Sequence, residues 1–398
     1  MLVTTASGVR RETGTTLVSE ARSIQRREAQ TRSARLRQAF LPVGPRYLPA
    51  LDGVRALAVL LVISWHLPGG SMGAVHGNNG VTLFFVLSGY LITTLALSEE
   101  TRNGRFSYPR FLVRRIFRIL PMMWLVVATY AVLVLGLGFD PRRAAFRSAL
   151  PFYLLYLPEY PVMSQASTHP GDAGPVPLAG LWSLGFEEKF YLLWPVVAFV
   201  ILRARRWRGW AAAAASVPFF LFPLVEPRTS RMFVWYAPIL AGCALAFVLS
   251  TGGGTTLRRV LARPWTGAAA IFALTVSTLT AWPTWTNVIF SISACLLISH
   301  AVEARGGLVF RILCWSPIRV VGVISYGLYL FHSLGLKIVD RAIPPSSDVL
   351  LRDSLVFVLS LGLLIPGLAI LNLVFERPLQ RLGASLVRRG RTAHPHRS

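Results

Sequence analysis

The sequence predicts an all-α integral membrane protein with about ten transmembrane helices and both termini in the cytoplasm. Of its 398 residues, 54% are hydrophobic and only 15% are charged, and the mean hydropathy is +0.54. A soluble globular chain carries roughly 25% charged residues, so most of this chain is expected to lie in a bilayer. The same composition excludes an intrinsically disordered chain, a collagen and a small disulfide-rich module.

The excess of positive charge indicates membrane topology rather than nucleic-acid binding. The formal net charge is +24, and only two of the 41 basic residues are lysines, which is typical of a GC-rich bacterial genome. A nucleic-acid-binding protein offers a basic face interleaved with aromatic residues, whereas here short arginine clusters separate apolar runs. The cysteines form no C-x-x-C pair, so they are expected to be structural thiols. They are Cys243, Cys295 and Cys314.

Three segments divide the chain. Residues 1–46 contain nine Arg and three Glu without a long apolar run, and we expect a basic, disordered cytoplasmic tail. They do not resemble a signal peptide, because no apolar core follows the charges until residue 51. Residues 47–380 form the predicted transmembrane domain, and residues 381–398 form a second basic cytoplasmic tail.

Ten apolar runs approach the roughly 20 residues that a helix needs to cross a bilayer. A backbone in lipid must satisfy its own hydrogen bonds, so these runs are predicted to be helices. Basic and non-basic connections alternate between them, which predicts cytoplasmic termini. The segment 148–158 is short and holds two prolines, so an interfacial or re-entrant helix is expected there. The predicted spans are 51–67, 80–97, 120–138, 183–202, 209–225, 233–250, 265–281, 286–303, 321–338 and 353–374.

Three ionisable residues lie in the first span, where such residues indicate function by default. At about 100° per residue, Asp52, Arg55 and His66 share one helix face along about 20 Å of axis. Asp52 and Arg55 could instead form an interfacial salt bridge, and His66 could be a hydrogen-bonded interfacial histidine. Because a neutral imidazole can take a proton from a hydroxyl, His66 is the candidate general base.

Further polar residues lie near the outer ends of other spans. Glu187 and Glu188 are adjacent in the fourth span, where at least one carboxylate should meet a cation or a histidine. Neighbouring residues on a helix point about 100° apart, and the sequence leaves open which of the two faces inward. His332 lies on the outer side of the ninth span, and a core histidine is the favoured interpretation.

Two other groups have competing interpretations. The segment from Ser88 to Tyr90 is consistent with a small-residue helix contact, and no G-x-S-x-G elbow supports a serine hydrolase. Three arginines before the third span either follow the topology rule or bind phosphates, which guanidinium groups suit. These arginines are Arg114, Arg115 and Arg118. The sequence has no metal-ligand spacing and no glycine-rich phosphate loop.

Six motifs, in order over about residues 47–380, resemble the acyltransferase 3 family of membrane O-acyltransferases. They are Leu51-Asp-Gly-Val-Arg-Ala-Leu-Ala58 with His66, Gly80-Val-Thr-Leu-Phe-Phe-Val-Leu-Ser-Gly-Tyr-Leu-Ile92, Arg114-Arg-Ile-Phe-Arg-Ile-Leu-Pro121, Leu181-Trp-Ser-Leu-Gly-Phe-Glu-Glu-Lys-Phe-Tyr-Leu-Leu-Trp-Pro195, Ser325-Tyr-Gly-Leu-Tyr-Leu-Phe-His332 and Phe375-Glu-Arg-Pro378. The resemblance implies a multi-pass enzyme of the bacterial plasma membrane. Acyl-CoA, usually acetyl-CoA, is the implied donor substrate, with no permanently bound cofactor.

The implied acceptor is a hydroxyl of a cell-envelope glycan, a glycolipid or a glycosylated metabolite such as a macrolide. The resemblance makes His66 the catalytic histidine, with other candidate catalytic groups from the same motifs. These are Asp52, Arg55, Glu187 and Glu188. The expected acyl-CoA contacts are Arg114, Arg115, Arg118, Ser88 and Tyr90. The bilayer is an expected partner, and nucleic acid is not.

The chain departs from the family pattern at three positions. An acidic residue often stands where this chain has Thr82, and Ser and Gln commonly stand in place of Gly185 and Lys189. These departures bear on substrate choice more than on the class of reaction. Two other classes of function stay open from the residues alone: a lipid or sugar exporter without acyl chemistry, and a relative that binds acyl-CoA without turnover.

Overall fold

The computed structural model describes residues 47–71, 78–162, 176–202, 205–225, 234–250, 255–280 and 285–392. Within these ranges the chain is helical and has no strand, in agreement with the predicted all-α class. The unit that contains the helices begins at Leu48. The predicted tail 1–46 and the last residues, 393–398, lie outside the described residues.

The described residues contain 15 α-helices. Prolines fit the first turn of several of them, where a backbone N–H would have no partner in the helix. The helices are α1 (Pro49–Trp65), α2 (Asn78–Asn103), α3 (Tyr108–Ala131), α4 (Arg143–Leu154), α5 (Trp182–Val196), α6 (Arg205–Val225), α7 (Tyr236–Ser250), α8 (Thr255–Leu261), α9 (Pro264–Leu279), α10 (Trp285–Glu303), α11 (Leu308–Leu313), α12 (Ser316–Val323), α13 (Ser325–Ala342), α14 (Val349–Leu371) and α15 (Arg377–Thr392). Three of them continue into π-helical turns, which are Val132–Gly136 after α3, Val197–Ile201 after α5 and Asn372–Glu376 after α14.

Each of the ten predicted apolar runs overlaps a helix, but fewer helices meet the criteria for a complete membrane span. Among the described residues three are long and apolar enough individually: Asn79–Asn103, Tyr108–Gly136 and Val349–Arg388. The number rises to five when two bent pairs, α8 with α9 at 60° and α12 with α13 at 78°, each count as one span. The ten crossings and the cytoplasmic termini therefore stay predictions. Helix α4 covers most of the predicted 148–158 helix and has 12 residues.

Helices α2 and α7 make the most extensive helix contact, and glycine allows it. A Cβ on Gly242 of α7 would lie 2.9 Å from the backbone nitrogen of Tyr90, and one on Gly89 of α2 would lie 2.9 Å from the carbonyl carbon of Ile239. Real Cβ atoms do not approach so closely, so both positions need glycine. The predicted small-residue contact around Ser88 is confirmed, because small residues let helix backbones approach in a membrane.

The helices enclose two apolar clusters. One packs α1, α3, α5 and α13 together and includes Ile63, Met122 and Leu328. The second joins α2 to α9 and α10 and includes Leu83 and Phe290. Helix α1 contributes to both clusters, so it is packed against neighbouring helices on two sides.

Candidate active site

A pair of histidines lies at the C-terminal end of α1. His66 caps this helix, and its Nδ1 lies 2.8 Å from the carbonyl oxygen of Val62. Its ring meets the ring of His332 from α13 edge-to-face, with ring centroids 4.8 Å apart and planes 66° apart. The structure thus brings together two histidines that are 266 positions apart in the chain.

The hydrogen bonds distinguish the two rings. His332 is 1% exposed, its Nδ1 lies 2.7 Å from the carbonyl of Tyr329, and its Nε2 lies 3.2 Å from the Ser333 hydroxyl. Both of its nitrogens are therefore engaged, as expected for a core histidine. His66 is exposed, and among the described residues only its Nδ1 has a partner. The carbonyl at Nδ1 assigns the proton to that nitrogen, which leaves Nε2 with a free lone pair.

A small polar network fixes His332 against the start of α5. The hydroxyl of Tyr329 donates to the Gly180 carbonyl at 2.7 Å and lies 2.6 Å from the Ser183 hydroxyl. Gly180 also lies beside His332, because a Cβ there would be 3.6 Å from its Cε1. The histidine pair is therefore held by α1, α13 and the turn that precedes α5.

A second polar group lies deeper in the bundle and centres on Glu187. Its Oε1 accepts a hydrogen bond from the Ser88 hydroxyl at 2.9 Å, and its Oε2 accepts one from the Tyr191 hydroxyl at 3.1 Å. Of the two adjacent glutamates, Glu187 is therefore the one that is turned toward α2. Glu188 is half-buried, and within the described part of the chain its buried Oε2 has no hydrogen-bond partner.

Two of the predicted phosphate-binding arginines face this group. The guanidinium of Arg115 lies over the Tyr191 ring, 4.5 Å from its centroid, within electrostatic range of Glu187 and Glu188. Arg118 lies within electrostatic range of Arg55 of α1 and of Glu187. The structure therefore gathers arginines from α1 and α3 around one carboxylate.

Asp52 lies next to this arginine group. It is 7% exposed, and the charges of Arg55, Arg319 and Arg118 act on its carboxylate. Its buried Oδ2 has no hydrogen-bond partner among the residues that the structure describes. Arg55 is eleven residues before His66, which corresponds to about 16 Å along the helix. The face predicted from the helical period therefore carries two groups, an arginine group at one end and the histidine pair at the other.

Two predicted residues lie apart from these groups. Arg114 forms an ion pair with Glu99 at 2.6 Å. Tyr90 is 4% exposed, belongs to the second apolar cluster, and is within electrostatic range of Glu303 and Arg258. It faces α10 and not the arginine group, because a helix cannot direct both Ser88 and Tyr90 toward α5 when they are two residues apart.

The departures at Gly185 and Lys189 have a common structural explanation. Lys189 forms an ion pair with Glu159, whose carboxylate is buried, and Lys189 Nζ lies 5.2 Å from the centroid of the Tyr160 ring. The same carboxylate packs against Gly185, where an added Cβ would collide with it. The Glu159 carboxylate therefore contacts both residues that depart from the family pattern, Gly185 and Lys189. Thr82 is fully buried.

The sequence interpretation missed several residues of these groups. Tyr191 is four residues after Glu187, a spacing that could have indicated their contact. Glu376 lies in the π-helical turn after α14, is within electrostatic range of Arg118, and accepts from Asn372 Nδ2 at 2.7 Å. Nothing in its local sequence indicates α3 as its neighbour. Among the described residues no group of three or more His, Cys, Asp or Glu could hold a metal ion.

Comparison with known proteins gives an independent view of the chain. A family described as an acyltransferase domain matches residues 48–372. YrhL of Bacillus subtilis is 32% identical over 311 residues, which are 72% of this chain and 48% of that protein. The peptidoglycan O-acetyltransferase OatA of Listeria monocytogenes is 28% identical over 311 residues, 72% of this chain and 49% of the relative.

The O-acetyltransferase OatA of Staphylococcus aureus is 29% identical over 309 residues, 72% of this chain and 50% of the relative. The chain therefore spans about half the length of the curated relatives that it matches. No solved structure matches it.

Proposed function

Because the chain belongs to the acyltransferase domain family, whose pattern covers residues 48–372, we propose that it is a membrane O-acetyltransferase. The proposed donor is acetyl-CoA, and the proposed acceptor is a hydroxyl of a cell-envelope glycan. The glycan is supported by relatives that are named peptidoglycan O-acetyltransferase and O-acetyltransferase. Multi-pass insertion in the bacterial plasma membrane accords with this role.

The state of His66 carries the proposal. Its Nδ1–H donates to the Val62 carbonyl, so Nε2 is the basic nitrogen and lies on an exposed side chain. A general base needs a free lone pair within hydrogen-bond reach of the hydroxyl that it deprotonates. His332 has both nitrogens engaged, so we assign it to packing against His66 and not to proton transfer.

The reaction follows from this assignment. Nε2 of His66 takes the proton of the acceptor hydroxyl, and the oxygen attacks the thioester carbonyl carbon of the donor. A C–O bond forms, the C–S bond breaks, and the coenzyme A thiolate leaves. In a route through an acyl-enzyme, an enzyme group would displace the coenzyme A thiolate first, and the acceptor oxygen deprotonated by His66 would attack the acyl-enzyme in the second step.

The arginine group is the proposed donor site. Arg115 and Arg118 offer guanidinium groups to phosphates, which they can bind with two parallel hydrogen bonds. Arg114 is already paired with Glu99 and is assigned to the rim. The pantetheine arm of acetyl-CoA would then follow α1 for the roughly 16 Å that separate Arg55 from His66.

The test uses membranes that contain wild-type protein, His66→Gln or His300→Gln, supplied with labelled acetyl-CoA and an envelope glycan extract. His300 is a matched control, because it is buried and its Nδ1 also lies near a backbone carbonyl, that of Leu261. We expect alkali-labile label in the glycan with wild type and with the control, scaled to the amount of folded protein. His66→Gln should reduce it by about 100-fold or more.

Equal transfer by wild type and His66→Gln would exclude His66 as the base. Binding of acetyl-CoA by wild type without transfer to any glycan fraction would exclude an acetylated envelope glycan as the product, and would leave a different acceptor or acyl chain, or a non-catalytic relative.

A further inference from the structure

The turn that follows His66 is attached to a buried carboxylate on another helix. Asp353 of α14 is 1% exposed. Its Oδ1 accepts a hydrogen bond from the backbone N–H of Gly69 at 2.9 Å, and its Oδ2 accepts one from Ser71 at 3.0 Å. Both oxygens of one carboxylate therefore hold the segment three to five residues after the histidine.

Glycine lets this segment approach α14. A Cβ on Gly69 would lie 2.6 Å from Cγ1 of Val349 and 2.8 Å from Oδ1 of Asp353. Gly70 has φ +66°, in the left-handed region that glycine adopts without strain. The backbone of the turn thus lies directly against the Val349 and Asp353 side chains of α14.

The same helix supports the second histidine. Helix α14 packs along α13, and the Ser360 hydroxyl donates to the carbonyl of Gly335 at 3.4 Å. Helix α13 carries His332. A carboxylate on α14 that holds the end of α1 therefore fixes the distance between the two histidine rings through two helix contacts.

We propose that Asp353 is a positioning residue for His66: its carboxylate holds the turn 67–71 so that the His66 ring stays against His332. Asp353 touches no reacting atom. A hydrogen bond from N–H to a carboxylate is charge-assisted and directional. The two bonds from Gly69 and Ser71 therefore fix both the position and the orientation of the turn. This inference rests on the proposed role of His66 as general base.

The first measurement is kinetic and compares Asp353→Ala, Asp353→Asn and Asp348→Ala with wild type. Asp348 is the matched control, because it caps the same helix through Leu351 N at 2.9 Å but does not touch the turn. We expect kcat to fall about tenfold or more in Asp353→Ala, since small misplacement of a catalytic group is costly. KM for acetyl-CoA should stay within about twofold.

Asp353→Asn keeps one acceptor oxygen and should give an intermediate kcat. Asp348→Ala should lower thermal stability while kcat per folded protein is retained. An equal loss of kcat in Asp348→Ala would overturn the proposal, and so would an unchanged kcat in Asp353→Ala when the cross-linking yield described next is unchanged as well.

The second measurement reads the position of residue 66 without relying on activity. Cysteines are introduced by His66→Cys and His332→Cys and are joined with a short bifunctional thiol reagent, with and without Asp353→Ala. We expect the yield of cross-linked protein to fall when Asp353 is removed. An unchanged yield would contradict the positioning role. A reduced yield together with an undiminished kcat in Asp353→Ala would instead support the turn contact and refute His66 as the base.

Discussion

The contact between Ser88 and Glu187 gives a quantitative test of the arginine group. Ser88 donates to Glu187 Oε1 at 2.9 Å, and this bond joins α2 to α5. The perturbation is a double-mutant cycle of Ser88→Ala, Glu187→Gln and the double variant. Each single variant weakens the hydrogen bond. The difference between the effect of the double variant and the sum of the two single effects is the coupling free energy of the pair.

The structure sets the expected size of the coupling. Hydrogen bonds to charged groups contribute about 1.5–3 kcal/mol in proteins generally. Bonds between membrane helices average about 0.6 kcal/mol, with a maximum near 1.7 kcal/mol. Because the acceptor is an interior carboxylate, we expect a coupling of about 1.5 kcal/mol, at the upper end of the membrane range.

The assay is the free energy of unfolding in detergent micelles, measured for all four proteins. The control cycle pairs Glu187→Gln with Ser64→Ala, whose hydroxyl bonds the Leu61 carbonyl of its own helix. The control should be additive within about 0.5 kcal/mol. A Ser88–Glu187 coupling no larger than the control would refute the assignment of Glu187 as the carboxylate that faces α2.

Two further predictions concern positions outside this group. Hydrogen bonds from Arg142 hold the pKa of Asp140 well below its ordinary value of 3.8. The stabilisation that the ionised Asp140 provides is therefore complete above about pH 4, and it is lost as the pH falls through the lowered pKa. The difference in melting temperature between wild type and Asp140→Asn should therefore be constant from pH 7 to 5 and shrink below pH 4; a difference that grows on acidification would contradict it. Gly242→Val should lower folded yield and cost about 3 kcal/mol or more by separating α2 from α7, whereas the control Gly362→Val, whose added Cβ meets none of the described atoms within 4 Å, should retain wild-type yield. Equal yields of the two variants would exclude the close contact.

Much of the fold could be predicted from local pattern. Apolar runs predicted helices at the right places, because lipid imposes helical backbone on such runs. The start of α13 was less predictable, because the bend of 78° between α12 and α13 depends on tertiary packing. The complete number of crossings could not be derived from hydropathy alone, since several of the helices are too short to span by themselves.

The candidate site was predictable only where it follows one helix. The 3.6-residue period predicted that Asp52, Arg55 and His66 share one face. This prediction was possible because all three residues belong to a single helix. The contact of His66 with His332 required knowledge of how α1 packs against α13. Asp353 gave no local signal, since its hydrogen-bond partners Gly69 and Ser71 lie more than 280 positions away in the chain.

The contact among Glu159, Gly185 and Lys189 couples substitutions at these three positions. A serine at position 185 alone forces the end of the Glu159 side chain to move away from it, and a glutamine at position 189 alone leaves that carboxylate buried without its cation. Both single steps toward the common family pattern are therefore unfavourable. Replacement of Glu159 by a smaller neutral residue removes both the contact and the unpaired charge, so an engineered chimera that exchanges this region is expected to fold best when position 159 changes together with positions 185 and 189.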